Sequence, residues 1–297
     1  MALSSLAAAQ PAVLTTEHVR AELLAFAPAG VAPGKPVWLA LAIEHQPHWH
    51  TYWKNPGDSG LATQLSWQLN DGAMTGDIAW PTPQGLRVGP LMNHGYEGAL
   101  LLPVSVTIPA TFKARELQVT LQAEWLACKD VCVPESGEFA LKIPAHAVIA
   151  THARRFEEAL ARVPQELASV QARATIERRA LQVEVDGLPP ALRGRELLFF
   201  AEMAGVVEQA AVIQQRWDAA RWNSRIPLSS QRSESPAAMH AVLVAAGQST
   251  GIRVRLAISG SWATASILVL GASDVIAVNS PENAVDSRRR HQPRSPR

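Results

Sequence analysis

The sequence predicts an all-β fold: an antiparallel β-sandwich, a helical connection, and a second β-rich block. Three observations predict it. Short runs of alternating apolar and polar residues recur through residues 17–145. Turn residues, chiefly Pro, Gly, Asn and Asp, punctuate those runs. The rhythm breaks over 149–172, where helix-forming residues take over, and then resumes. Strands at this spacing, with this punctuation, argue an antiparallel sandwich. A length of 297 residues also favours two domains over one.

Residues 37–43 follow Pro33-Gly-Lys-Pro36 and read as a strand. Residues 64–69 alternate and then meet the turn signal Asn70-Asp-Gly72. Residues 99–108 form another strand, in which Pro103 marks an edge or a bulge. Alternation runs from 117 to 126, up to Cys128, and resumes over 138–143 after Cys132. The two cysteines therefore lie on a strand end and on the turn leaving it, a hairpin-like corner. Residues 149–163 are helix-forming, with Phe156, Leu160 and Val163 on one face, and Pro164 interrupts them. In the second block, 181–185 and 252–258 alternate, whereas 196–202 and 241–245 are short apolar strands. This block carries no cysteine and suggests a spacer or docking domain. The resulting division is 1–16 signal-like, 17–146 first domain, 147–172 helical linker, 173–262 second domain, and 263–297 an unassigned segment with a disordered tail.

The formal net charge is +1, which gives no broad field for nucleic acid or acidic partners. The basic, Pro-rich run 288–297 reads as a disordered tail. Residues 1–12 are small and apolar, with an Ala-x-Ala pattern. They look like the back half of a secretory signal peptide without its basic start. The nearest approach to a membrane span is 260–278, but Asp274 interrupts it, and an aspartate near a bilayer centre costs about 2.5–3.5 kcal/mol.

Cys128 and Cys132 are the only cysteines. As a purely structural staple the pair would contribute little, because so small a loop gives only roughly 2 kcal/mol in the chain-entropy model. A chain this long can also bury a core without a staple. A redox-active pair is the leading reading, beside an inert disulfide, a metal site or unrelated thiols. Two thiolates are half a tetrahedral zinc shell. Lys129 favours a thiolate, whereas Asp130, Glu124 and Glu135 oppose it.

His48 and His50, at i and i+2, would share a face on a strand and are the metal candidates, with His45 nearby. An aromatic packing ladder with Trp49, Tyr52 and Trp53 is the favoured reading of that segment. Asn55-Pro-Gly-Asp-Ser-Gly60 lacks the lysine of a phosphate loop and reads as a structural turn.

Three ordered segments carry a family resemblance. They are His48-Trp-His-Thr-Tyr-Trp-Lys-Asn-Pro-Gly-Asp-Ser-Gly60, then His94-Gly-Tyr-Glu-Gly98 leading into Leu100-Leu-Leu-Pro-Val104, then the stretch from Trp125 to Gly137. Together they resemble the periplasmic N-terminal region of the DsbD/ScsB thiol–disulfide interchange proteins, most closely the ScsB-like branch. The resemblance covers roughly 17–145, and more loosely the second block around 197–202 and 239–244. It implies two immunoglobulin-like sandwich domains and a periplasmic location. It further implies a relay that passes electrons from a membrane donor to thioredoxin-fold acceptors, with family roles in cytochrome c biogenesis and copper tolerance. Cys128 and Cys132 would be the redox pair. The loop 92–96 would supply a cap over the thiols, with His94, Tyr96 and Trp125 as cap or docking candidates. The resemblance implies no cofactor and no small-molecule substrate. Full-length members continue into membrane and thioredoxin-like domains, which the present sequence lacks, so a membrane electron donor is expected in trans. The alternatives are a non-enzymatic interaction module with a structural disulfide, and a copper-handling protein using the cysteines with His48 or His50.

Overall fold

The structure, a computed structural model, describes residues 12–262. Strand β1 (Val13–Thr15) pairs with β2 (Val19–Phe26) across a turn in which Thr16 Oγ1 accepts the N–H groups of His18 and Val19. Residues 13–15 of the segment expected to be signal-like are thus part of a sheet. Strand β3 (Val37–His45) is a nearly continuous apolar run and is buried along most of its length, as befits a strand covered on both faces. Shorter turn-bounded strands follow: β4 (His50–Gly57), β5 (Gln64–Leu69), β6 (Met74–Ile78), β7 (Gln84–Val88), β8 (Leu91–Glu97) and β9 (Ala99–Thr107). Pro103, expected at an edge or a bulge, lies in the interior strand β9 opposite Ala40 of β3 in unbroken register, and the register shift to β6 falls beyond it, between Val104 and Val106. Strands β10 (Glu116–Cys128) and β11 (Cys132–Pro144) form one long hairpin, in register from Glu116 opposite Pro144 to Cys128 opposite Cys132.

These strands make two sheets, ordered β1-β2-β3-β9-β6 and β11-β10-β4-β8-β7, with β5 also on β10. Both sheets send residues into one core that includes Leu39, Leu41 and Leu102 from the first and Trp53, Leu121 and Phe139 from the second. Parity decides which residues enter. Along β10 the odd positions 117 to 127 are buried, whereas Gln118, Gln122 and Glu124 face solvent.

Helix α1 (Ala153–Ala161) is shorter than the predicted linker. Its start is delayed because Ile149 exchanges two backbone hydrogen bonds with Ala27. Rather than bridging as a free rod, it lies on the outer face of the first sheet. There Phe156 and Ala159 pack with Leu24, Ala40, Ala42 and Leu101, and the Phe156 ring stacks 5.4 Å from Phe26.

The second block contains β12 (Gln171–Glu177), β13 (Ala180–Asp186), β14 (Leu197–Ala201), β15 (Gln214–Asp218), β16 (Arg221–Pro227), β17 (Ala238–Ala245) and β18 (Ile252–Ser259). Where the sequence predicts a second pair of facing sheets, hydrogen bonding runs unbroken through seven strands, β14-β17-β18-β12-β13-β16-β15. The sheet curls until its two edge strands meet. The Gln215 side chain bonds both the N–H and the C=O of Leu197, at 2.9 and 3.0 Å. The curl encloses a separate core around Trp222, Leu181, Val183 and Leu243. This block also packs on the sandwich: Phe200, Val242 and Val244 join the first core, and Asn55 Nδ2 donates to Ala201 O at 2.7 Å. Glu202 receives Lys54 at 2.8 Å and a two-pronged Arg253 at 2.6 and 2.9 Å. Residues 1–11 and 263–297, which include the predicted tail and most of the interrupted apolar run, lie outside the described residues. Among the described residues, no helix is long and apolar enough to cross a membrane.

Candidate functional site

The β10–β11 hairpin ends at its tip in a disulfide between Cys128 and Cys132, with the Cα atoms 4.1 Å apart. The predicted hairpin corner is the observed one. Lys129, Asp130 and Val131 make the turn, closed by the Lys129 N–H on Val131 O at 3.0 Å. On its other side Cys128 pairs with His50 of β4, which in turn faces Glu97 of β8. Cys132, Cys128, His50 and Glu97 therefore form one row across four strands. Residues directly opposite in a sheet project to the same face, and Tyr52, two residues beyond His50, shares it. The Tyr52 and His50 rings meet edge to face at 5.2 Å. The Tyr52 hydroxyl lies 3.6 Å from Cys132 Sγ.

Burial divides the two sulfurs. Cys128 is 1% exposed, although its even position puts it on the outer face of the sandwich. His50, at 4% exposed, and Tyr52, at 1%, stand beside it. Cys132 is exposed, and so is its neighbour Val131. Cys132 is thus open to an approaching group, whereas Cys128 is sealed inside the protein. Beside the pair, a groove of about 260 Å³ runs along the outer face of the hairpin, lined by Leu61, Ala62, Leu126, Pro134 and Glu135 among others.

Burial lowers the His50 pKa below the ordinary 6.5, against an opposing pull from the Glu97 carboxylate. Burial raises the Tyr52 phenol, with a Ser59 hydrogen bond acting the other way. Glu135 does not face the sulfurs as a free charge. It accepts Trp125 Nε1 at 2.9 Å and Thr16 Oγ1 at 3.1 Å, and contacts His18 Nδ1 at 2.7 Å.

The cap candidates lie elsewhere. Residues 92–96 are not a loop but the interior of β8, paired with β4 and β7. Tyr96 and His94 fall on the core-side parity, with Thr51 and Trp53. Tyr96 donates its hydroxyl to Pro81 O at 2.7 Å, and the His94 ring meets Phe200 edge to face at 4.9 Å. Trp125 packs in the core and also lines the groove along the hairpin. None of the three stands over the disulfide. His48 and His50 do not share a strand face either. His48 lies in the preceding turn at φ 70°, exposed, while His50 opens β4 and is buried. No group of three or more potential metal-ligating side chains occurs among the described residues.

Tyr52, Ser59 and Gly60 were missed as site residues. Their signal was the Asn55–Gly60 motif, which is a structural turn as expected, but one that builds the site. The Asn93 side chain accepts both the N–H and the hydroxyl of Ser59, and Asp58 accepts the Met92 N–H at 2.8 Å. Gly60, at φ 101°, then lies against the Tyr52 ring, where any Cβ would collide with it.

Residues 20–144 match the family described as thiol:disulfide interchange protein DsbD, N-terminal. Among solved structures, the chain is similar to the N-terminal periplasmic domain of ScsB from Proteus mirabilis. The TM-score is 0.62 at 16% identity, covering 85% of this chain and 99% of that one, a likeness of fold. No curated protein matches the chain.

Proposed function

We propose that the chain is a thiol–disulfide relay working through Cys128 and Cys132, a reading supported by the match of residues 20–144 to the DsbD N-terminal family. The observation that carries this is the pair itself: two bridged cysteines at a hairpin tip, one sulfur exposed and its partner sealed. A donor thiolate attacks Cys132 Sγ, the 128–132 bond breaks, and Cys128 leaves with the electron pair. The donor's second thiolate then attacks the donor sulfur of the mixed disulfide and frees Cys132. The donor is oxidised to a disulfide and the pair holds two electrons. Toward an acceptor the steps reverse, with Cys132 attacking and Cys128 resolving.

The acceptors are thioredoxin-fold proteins, the compartment is the periplasm, and the electrons come from a membrane donor. The separate cores support a redox sandwich over 17–146 and a second β domain over 173–262. In that arrangement the second block is a buttress and spacer rather than a second redox site, since it carries no cysteine.

Equilibration in glutathione buffers with thiol trapping tests the reading. The pair is expected to pass from disulfide to dithiol within the buffered range. A pair still fully oxidised at the most reducing poise would mark it as a structural bridge. A Cys128→Ser variant is expected to hold a stable mixed disulfide with a thioredoxin-fold partner through Cys132, and Cys132→Ser to hold none.

A further inference from the structure

We propose that His50 is the proton carrier of Cys128, accepting the thiol proton at Nε2 when Cys128 resolves a mixed disulfide and returning it when the disulfide is reduced. The proposal rests on the relay reading above. Three observations carry it. Cys128 and His50 are direct cross-strand partners, which places their Cβ atoms about 4.5–5.5 Å apart on one face. His50 Nε2 is buried without a hydrogen-bond partner among the described residues. A buried polar atom left unpaired costs on the order of 1–3 kcal/mol, so such an atom calls for an explanation. Finally, Cys128 at 1% exposure has no direct path to bulk water for its proton.

The neighbouring groups leave His50 the role. The Tyr52 hydroxyl is engaged at Cys132. Glu97, opposite His50 on β8, is exposed, and its carboxylate supports the imidazole's basicity. His45 is occupied at both ring nitrogens, by Gly98 O at 2.6 Å and Thr51 Oγ1 at 3.0 Å. In the resolving step Cys132 carries a partner sulfur. The Cys128 proton passes to Nε2 and the thiolate attacks Cys132 Sγ. The 128–132 bond forms and the partner leaves as a thiolate. The pair loses two electrons and the partner disulfide gains them.

The test uses the reduced chain and an aromatic disulfide, dithiobis(nitrobenzoate). Attack by exposed Cys132 releases one coloured thiolate, and resolution by Cys128 releases a second. Cys128→Ser is expected to abolish only the second release. His50→Gln is expected to leave the first release unchanged and slow the second by about 100-fold at neutral pH, the scale of general base catalysis. Its pH profile should move up into the range of free thiol ionisation, a change that loosened packing alone would not produce. An unchanged rate and profile in His50→Gln overturns the proposal and leaves the relay standing. A wild-type chain with no second release overturns the relay reading and this proposal with it. Should His50→Gln fail to fold, the exposed Glu97→Gln decides. Its second-release midpoint is expected at lower pH than wild type, and an unmoved midpoint overturns the proposal.

Discussion

Residue by residue, the site is an unequal pair with one hydroxyl attached. Tyr52 OH is placed to donate to the Cys132 thiolate once the disulfide opens, and a hydrogen bond of this kind contributes about 1 kcal/mol. Tyr52→Phe is therefore expected to raise the Cys132 thiol pKa and cut its alkylation rate at neutral pH about fivefold, as read by the pH dependence of iodoacetamide labelling. An unaltered labelling curve would remove Tyr52 from the chemistry. The cysteine pair was legible in the sequence because its members are unique and close together. Their inequality was not, because it depends on Tyr52 and His50 arriving from a strand about eighty residues away. His48 misled for a local reason: its positive φ takes it off the strand that would have aligned it with His50.

At the level of elements, the strands with clean alternation were legible, and the hairpin corner followed from them. Which face a residue takes was harder to read. His94, Tyr96 and Trp125 are aromatic and close in sequence to the motifs, yet all three sit on core-side parity. A strand's parity follows from its pairing partners, and shifting the register by one residue exchanges the faces. Helix α1 was legible as a helix but not as a cover, since nothing local shows that Phe156 seats beside Phe26. The contact between blocks draws on β14 and β17, and within it Phe200 of β14 is 3% exposed against Trp53 and His94. Phe200→Ala is expected to cost about 3–5 kcal/mol in denaturant unfolding. It should also raise hydrogen exchange along β8 and β14 while leaving the Cys132 thiol reactivity unchanged. A loss below about 1 kcal/mol would show that the two blocks do not depend on this ring.

Across the whole molecule, two buried imidazoles set an acid limit. Burial lowers both His45 and His94 from 6.5 to about 4. The folded chain keeps them neutral, while the unfolded chain protonates them near 6.5. Their stabilisation is complete above about pH 6.5 and is lost as the pH falls through 6.5 toward 4. The full loss is roughly 3 kcal/mol for each, at about 1.4 kcal/mol per tenfold change in proton affinity. Urea midpoints followed by tryptophan fluorescence are expected to drop steadily between pH 6.5 and 5. A flat profile there would mean that the imidazoles are hydrated in the folded state. The one-sided burial of the disulfide also constrains traffic. Under the proposed relay, a donor and an acceptor would both have to reach Cys132, and so would use the same doorway in turn. Steady-state turnover should then follow ping-pong kinetics with parallel double-reciprocal lines, and an excess of either partner should inhibit the other by occupying that doorway.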